Sequence, residues 1–244
     1  MIKKIGLLFL LVFVIISCSD DEPVTMGPDN DNLKTIMPLG ASRVQGARPN
    51  FESYRYELWK LLLDGNFSFD YIGTRDDDAS YPDYKGESFD MDHEGRGGWT
   101  SGQILGGINE WLSEAGTPDI VLFSSPGGND ALQNLPYDNA IENVNAIIDI
   151  IQDINPNATI VIEKLAPARS DLMTGALAEY FDKMQEDVEI IAAEQSTTTS
   201  AVITVDMVNG FVDEYLADPV HYNEEGAKFI ADRYFEILSD ILQN

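Results

Sequence analysis

Ser42, Asn129, Asp218 and His221 are residues of the types, and in the order, that nucleophilic catalysis by a serine requires. A serine hydroxyl attacks poorly until a base takes its proton, and the base must itself be held in one tautomer. Asp218 and His221 lie three residues apart in "DPVH". In a turn closed by Pro219, that spacing lets the carboxylate reach Nδ1 of the imidazole and leaves Nε2 to accept a serine proton. Asn129, in "GGND", carries an amide that can donate to a developing oxyanion. Taken singly, each has an ordinary reading. Asp-x-x-His before a helix serves as a cap with a surface histidine, Asn in a glycine turn tolerates the left-handed region, and serine is common in loops.

The elements that must position these residues decide between the two readings. Short β-branched or aromatic runs at 36–39, 69–73, 120–124, 159–164 and 202–206 alternate with segments of helical periodicity at 51–65, 100–116, 139–156, 174–195 and 224–242. Buried strands alternating with helices imply an α/β fold. We expect one three-layer, doubly wound domain around a central five-stranded parallel sheet of flavodoxin-like type. Right-handed crossovers bring the C-terminal strand ends to one edge, where such sheets bind ligands. Ser42 follows the first run, Asn129 the third, and Asp218 with His221 the fifth. Their shared placement at that edge is what makes a common site of them.

The N-terminus reads as an address. Lys3 and Lys4 precede an apolar stretch too short to span a bilayer, which ends at "IISCSDDE". Residues 1–17 are expected to be a lipoprotein signal peptide, with Cys18, the sole cysteine, as the lipidated residue. An ordinary secretory peptide with an incidental cysteine is the alternative. Residues 18–34 then form the lipidated cysteine and a flexible acidic tether, and 35–244 the folded domain. The expected location is the bacterial cell envelope, as an outer-membrane or cell-surface lipoprotein anchored through Cys18. The acidic residues after Cys18 resemble the surface-export tag of Bacteroidetes lipoproteins.

A net charge of −27 repels nucleic acid and leaves neutral substrates open. Asp76-Asp77-Asp78 lacks EF-hand spacing and reads as a solvated loop. Two histidines and one cysteine make no transition-metal constellation. His93 is expected to pack or hydrogen-bond near the site.

Five ordered blocks resemble the SGNH (GDSL-type) hydrolases, and within them the carbohydrate esterase family three branch, the acetyl xylan esterases. "IMPLGAS" resembles that branch's MPLGDS. "YRYELWKLL" with "FDYIGT" resembles its next helix and strand, and "DHEGRGGWTSGQI" its DHEGHxGWxxxQI block. "GGND" stands for GTND, and "DPVHYNEEG" for DxxHPNxxG. The resemblance implies Ser42 as nucleophile, His221 as base and Asp218 as its orienting partner. It implies an oxyanion hole of the Ser42 and Gly98 N–H groups and the Asn129 side chain, with no cofactor and no metal. Gly98 enters through the resemblance alone. Two positions depart from it: Ala41 replaces the aspartate of GDS, and Gly128 the threonine of GTND. Loss of that aspartate removes a candidate hydrogen bond from the turn that carries Ser42.

The resemblance implies a serine esterase that removes acetyl groups from carbohydrate such as xylan. Its alternatives are a non-catalytic glycan-binding surface lipoprotein and an esterase or lipase for another acyl ester. Trp99 is a candidate for stacking on a sugar and Tyr222 for lining the site mouth; for both, core packing is the competing role.

Overall fold

The computed structural model describes residues 33–243, which lie in the unit Asn32–Asn244. The signal-peptide and Cys18 expectations fall outside these residues. The first strand, β1 (Lys34–Gly40), begins one residue inside the expected tether.

Among the described residues six strands follow in chain order: β1, β2 (Phe69–Tyr71), β3 (Glu94–Gly95), β4 (Ile120–Phe123), β5 (Thr159–Lys164) and β6 (Val202–Asp206). All pair in parallel, in the order β2-β1-β4-β5-β6. The five expected strands are thus joined by a sixth. It is β3, whose two residues pair with Leu39 and Gly40 at the C-terminal end of β1. Two residues carry no periodicity, so β3 has no sequence signature.

Alternation along the strands builds two cores. Met37, Leu39, Val121, Phe123, Ile160 and Ile162 face helices α3 (Ser101–Ala115), α5 (Tyr137–Ile154) and α6 (Gly175–Gln195). Ile36, Ile120, Leu122 and Val161 face α2 (Arg55–Asp64) and α7 (Glu224–Leu242). Helix, sheet and helix form the three layers because every central strand buries both of its faces. Two of these helices start on identifiable side-chain caps. Gln103 reaches back to the Thr100 N–H at 2.9 Å for α3, and the Asn223 side chain accepts from the Gly226 N–H at 2.9 Å for α7.

From β1 the chain moves to β2 on one side and later to β4 on the other, so the strand order reverses at β1. The carboxyl ends of β1 and β4 therefore flank the crevice in which open α/β sheets hold ligands. Two short helices with too few residues for a periodic signal stand there: α1 (Ser42–Gln45) and α4 (Gly128–Leu132).

Candidate active site

Ser42 is the first residue of α1, immediately beyond β1. Gly40 is required at the exit, since a Cβ there would lie 2.8 Å from the Ser124 carbonyl oxygen and 2.9 Å from Val44. From the far side of the sheet, the turn after the Asp213–Tyr215 3₁₀ helix brings His221 to it. His221 Nε2 lies 2.9 Å from Ser42 Oγ, and Nδ1 lies 2.7 Å from Asp218 Oδ2. The other carboxylate oxygen accepts the N–H groups of Val220 and His221 at 2.8 and 2.7 Å. Burial pushes the Asp218 carboxyl up, but these three hydrogen bonds outweigh it and hold its pKa below the ordinary value. With Asp218 ionised, the proton of a neutral His221 sits on Nδ1, and Nε2 faces the serine as an acceptor.

Two residues unassigned in the sequence hold this geometry. Arg43 is buried beside Ser42, and its guanidinium donates to the carbonyls of Ala166, Pro167 and Val220 at 2.7 to 3.0 Å. It ties the serine turn to the end of β5 and to the residue before His221. The Phe51 ring stacks on the imidazole, with centroids 3.9 Å apart and planes 13° apart. The only sequence signal for Arg43 is a cation placed directly after a strand that ends in the core. Ala41, where the resembling blocks carry aspartate, makes no side-chain cap to α1. The turn is held instead by Arg43 and by backbone bonds from Val44 and Gln45 to the Ala41 carbonyl and from Gly46 to the Ser42 carbonyl.

Asn129 lies in the first turn of α4 rather than in an open loop, behind Gly127 in the left-handed region. Its Nδ2 donates to the Trp99 carbonyl at 2.8 Å. Gln133 donates to the Gly98 carbonyl at 3.1 Å, and buried Asp130 accepts the N–H and hydroxyl of Ser101 at 2.8 and 2.7 Å. These bonds stitch α4 to the segment carrying Gly98, so the two sets of candidate donors move as one piece. Glu163, fully buried on β5, accepts the Ser125 N–H at 2.7 Å and the Tyr234 hydroxyl at 2.8 Å and so fixes the turn into α4. Burial raises its pKa despite these donors. The N–H groups of Ser42 and Gly98 have no hydrogen-bond partner among the described residues. Gly98 has φ +78°, with open space where a Cβ would stand.

Ser42 and Asn129 share the wall of a cavity of about 30 Å³, closed by the apolar side chains of Leu132, Leu165, Ala168, Phe181 and Val220.

Two sequence expectations are corrected. Tyr222 is fully buried under the Arg43 guanidinium, 4.7 Å from its ring centroid, and is a packing residue rather than part of the mouth. Asp77 is not a solvated loop residue. Its side chain is 5 % exposed and pairs with Arg55 at 2.6 Å, while Tyr81 donates to it at 2.6 Å. Asp76 and Asp78 on either side do face solvent. Trp99 is half-buried, packs against Trp111 with centroids 5.5 Å apart, and lines neither the cavity at Ser42 nor the larger one beside it. His93 is fully buried, with Nδ1 accepting from the Gly95 N–H at 2.8 Å and Nε2 3.2 Å from Asp77 Oδ1.

The sequence profile of the GDSL-like lipase/acylhydrolase family matches residues 66–229. The chain belongs to this family. As a GDSL-like acylhydrolase it is a carboxylic ester hydrolase of SGNH type. Solved structures similar to it include a family 3 carbohydrate esterase from Clostridium thermocellum, 30% identical with a TM-score of 0.70, and one from Talaromyces cellulolyticus, 25% identical with a TM-score of 0.73. In both cases 86% of this GDSL-like chain and 98% of the other are covered. An acetyl esterase mutant with acetate ion shares the fold at 24% identity, a TM-score of 0.73 and the same coverage. No curated protein matches the chain.

Proposed function

We propose that this esterase removes acetyl groups from the hydroxyls of a neutral carbohydrate, such as acetylated xylan, through a Ser42–His221–Asp218 relay and an acetyl-enzyme. The observation that carries the reading is the hydrogen-bonded chain from Asp218 through His221 to Ser42, ending on the wall of a cavity of about 30 Å³. That volume holds about two waters. It suits an acetyl group. Similarity to two family 3 carbohydrate esterases supports a carbohydrate as the alcohol.

In this mechanism Nε2 of His221 takes the Ser42 proton as Oγ bonds to the ester carbonyl carbon. The oxyanion receives the N–H groups of Ser42 and Gly98 and the Asn129 amide. The imidazolium, held by ionised Asp218, protonates the departing sugar oxygen as the C–O bond breaks. Water then repeats the sequence on the acetyl-serine, releasing acetate and restoring the hydroxyl. The N-terminal pattern supports anchoring at the cell envelope through a lipidated Cys18.

Acetate release from acetylated xylan, compared between the parent and Ser42→Ala, tests the reading. The expected result is release that drops by on the order of a thousandfold or more in the variant. Equal release by both proteins would remove Ser42 from the chemistry. A parent that prefers long-chain esters would remove the acetyl assignment.

A further inference from the structure

A second cavity, about 280 Å³, opens beside the site between residues 45–50, which leave α1, and residues 75–81, which follow β2. Ser42 and Gln45 stand at the two ends of α1, about one helical turn or 5 Å apart. The nucleophile therefore lies between two spaces. The small apolar cavity is on the β4–β5 side of β1, and the larger polar one is on the β2 side. An ester carbonyl carbon carries two substituents, and the small cavity accounts only for the acyl one.

The lining of the larger cavity specifies the other. The side chains of Asn50, Arg75, Asp76 and Asp78 have no hydrogen-bond or ion-pair partner among the described residues. Gln45 spends Oε1 on the Gly97 N–H at 2.6 Å, next to the candidate oxyanion donor, and keeps its Nε2 donors. Unused guanidinium and amide donors thus share the lining with unused carboxylate acceptors. A hydroxyl needs that mixture, because it both gives and accepts hydrogen bonds. Asp76 and Asp78 outnumber Arg75 among the unpaired charges, which disfavours an anionic ligand. The wall itself is rigid: Asp77 is pinned by Arg55 and Tyr81, and the Arg48 guanidinium covers the Tyr81 ring at 4.7 Å. The volume is about nine times that of the small cavity, room for a pyranose ring.

We propose that this cavity binds the sugar ring that carries the ester, a neutral pyranoside recognised through its hydroxyls by Asn50, Arg75, Asp76, Asp78 and Gln45. The assignment rests on the carbohydrate reading of the active site, so the test has a binding arm and a catalytic arm.

Binding of the neutral trisaccharides xylotriose and cellotriose, followed by amide chemical shifts, is expected to perturb residues 45–50 and 75–81 and to saturate. Asn50→Ala and Arg75→Ala, both at exposed side chains and checked for an unchanged unfolding midpoint, are each expected to weaken binding at least tenfold. They should also lower, by at least tenfold, the ratio of kcat/KM for acetylated xylotriose to that for 4-nitrophenyl acetate. No saturable binding of either trisaccharide, shifts confined to other residues, or tighter binding of trigalacturonate would overturn the cavity assignment, whatever the enzyme hydrolyses. An unchanged ratio in both variants would do the same. A parent that cleaves 4-nitrophenyl acetate but no acetylated sugar, while xylotriose or cellotriose still perturbs the cavity, would instead retire the reaction assigned to the site and leave the sugar cavity standing.

Discussion

Arg43 shows how much of a serine site is made by residues that never touch substrate. Its guanidinium spans the turn carrying Ser42, the end of β5 and the carbonyl next to His221. Removing it leaves three carbonyls short of a charged donor in a buried place, a cost of about 2–4 kcal/mol in stability. It also frees the histidine turn relative to the serine, and a displacement of about 1 Å costs on the order of 100-fold in rate. Arg43→Ala is therefore expected to lower kcat by 10- to 100-fold with little change in KM, and to lower the denaturant midpoint. Paired kinetics and unfolding would show this, and an unchanged kcat would confine Arg43 to stability. Ser42 and Asn129 were legible because each closely follows an apolar run that ends abruptly, and Asp218 and His221 because they stand three residues apart just before the last helix. Arg43 and Phe51 were not, because their partners lie more than 100 residues away in the chain. The burial of Tyr222 was hidden for the same reason: Arg43, the cation above its ring, is equally remote in sequence.

At the level of elements, the long helices and the five longer strands were visible as periodicity, and their boundaries moved by only a few residues. The pieces that carry the site are the short ones: α1, α4, β3 and the segment around Gly98. None is long enough to show a period, and their form follows from tertiary bonds such as Asn129 to Trp99 and Asp130 to Ser101. Gly98 separates shape from space. Its φ of +78° resists a side chain, while nothing would collide with one. Gly98→Ala is expected to cost about 1–2 kcal/mol in stability from the left-handed backbone. It should cost tenfold or more in kcat as the segment relaxes and its N–H turns away. Denaturant unfolding beside steady-state kinetics separates the two effects; full activity in a stable variant would remove the Gly98 N–H from the oxyanion hole.

Across the whole molecule, buried titratable groups push acid stability in opposite directions. Burial holds His93 down at about 4, against 6.5 in an open chain. Between those values the unfolded chain takes up a proton that the folded one refuses, so this group's contribution falls as pH drops from about 6.5 to about 4. The loss is about 3 kcal/mol and then levels off. Burial holds Asp90 up at about 6, so the folded chain gains a proton first and acidification favours it over part of the same range. The two act in opposite directions in the parent, so the test is a difference between two proteins. The destabilisation of His93→Gln relative to the parent is expected to shrink by about 3 kcal/mol between pH 7 and pH 4. A constant difference across that range would show that His93 titrates normally in the fold.

The central claim is that Ser42 carries the acyl group, and an alkyl phosphonate ester that traps activated serines tests it most directly. Peptide mass spectrometry after reaction is expected to find one adduct, on the peptide containing Ser42, formed in step with loss of esterase activity. The adduct should be absent from Ser42→Ala and strongly slowed in His221→Ala. An adduct on another residue that tracks the loss of activity, or full activity after complete modification of Ser42, would contradict the assignment of Ser42 as the nucleophile.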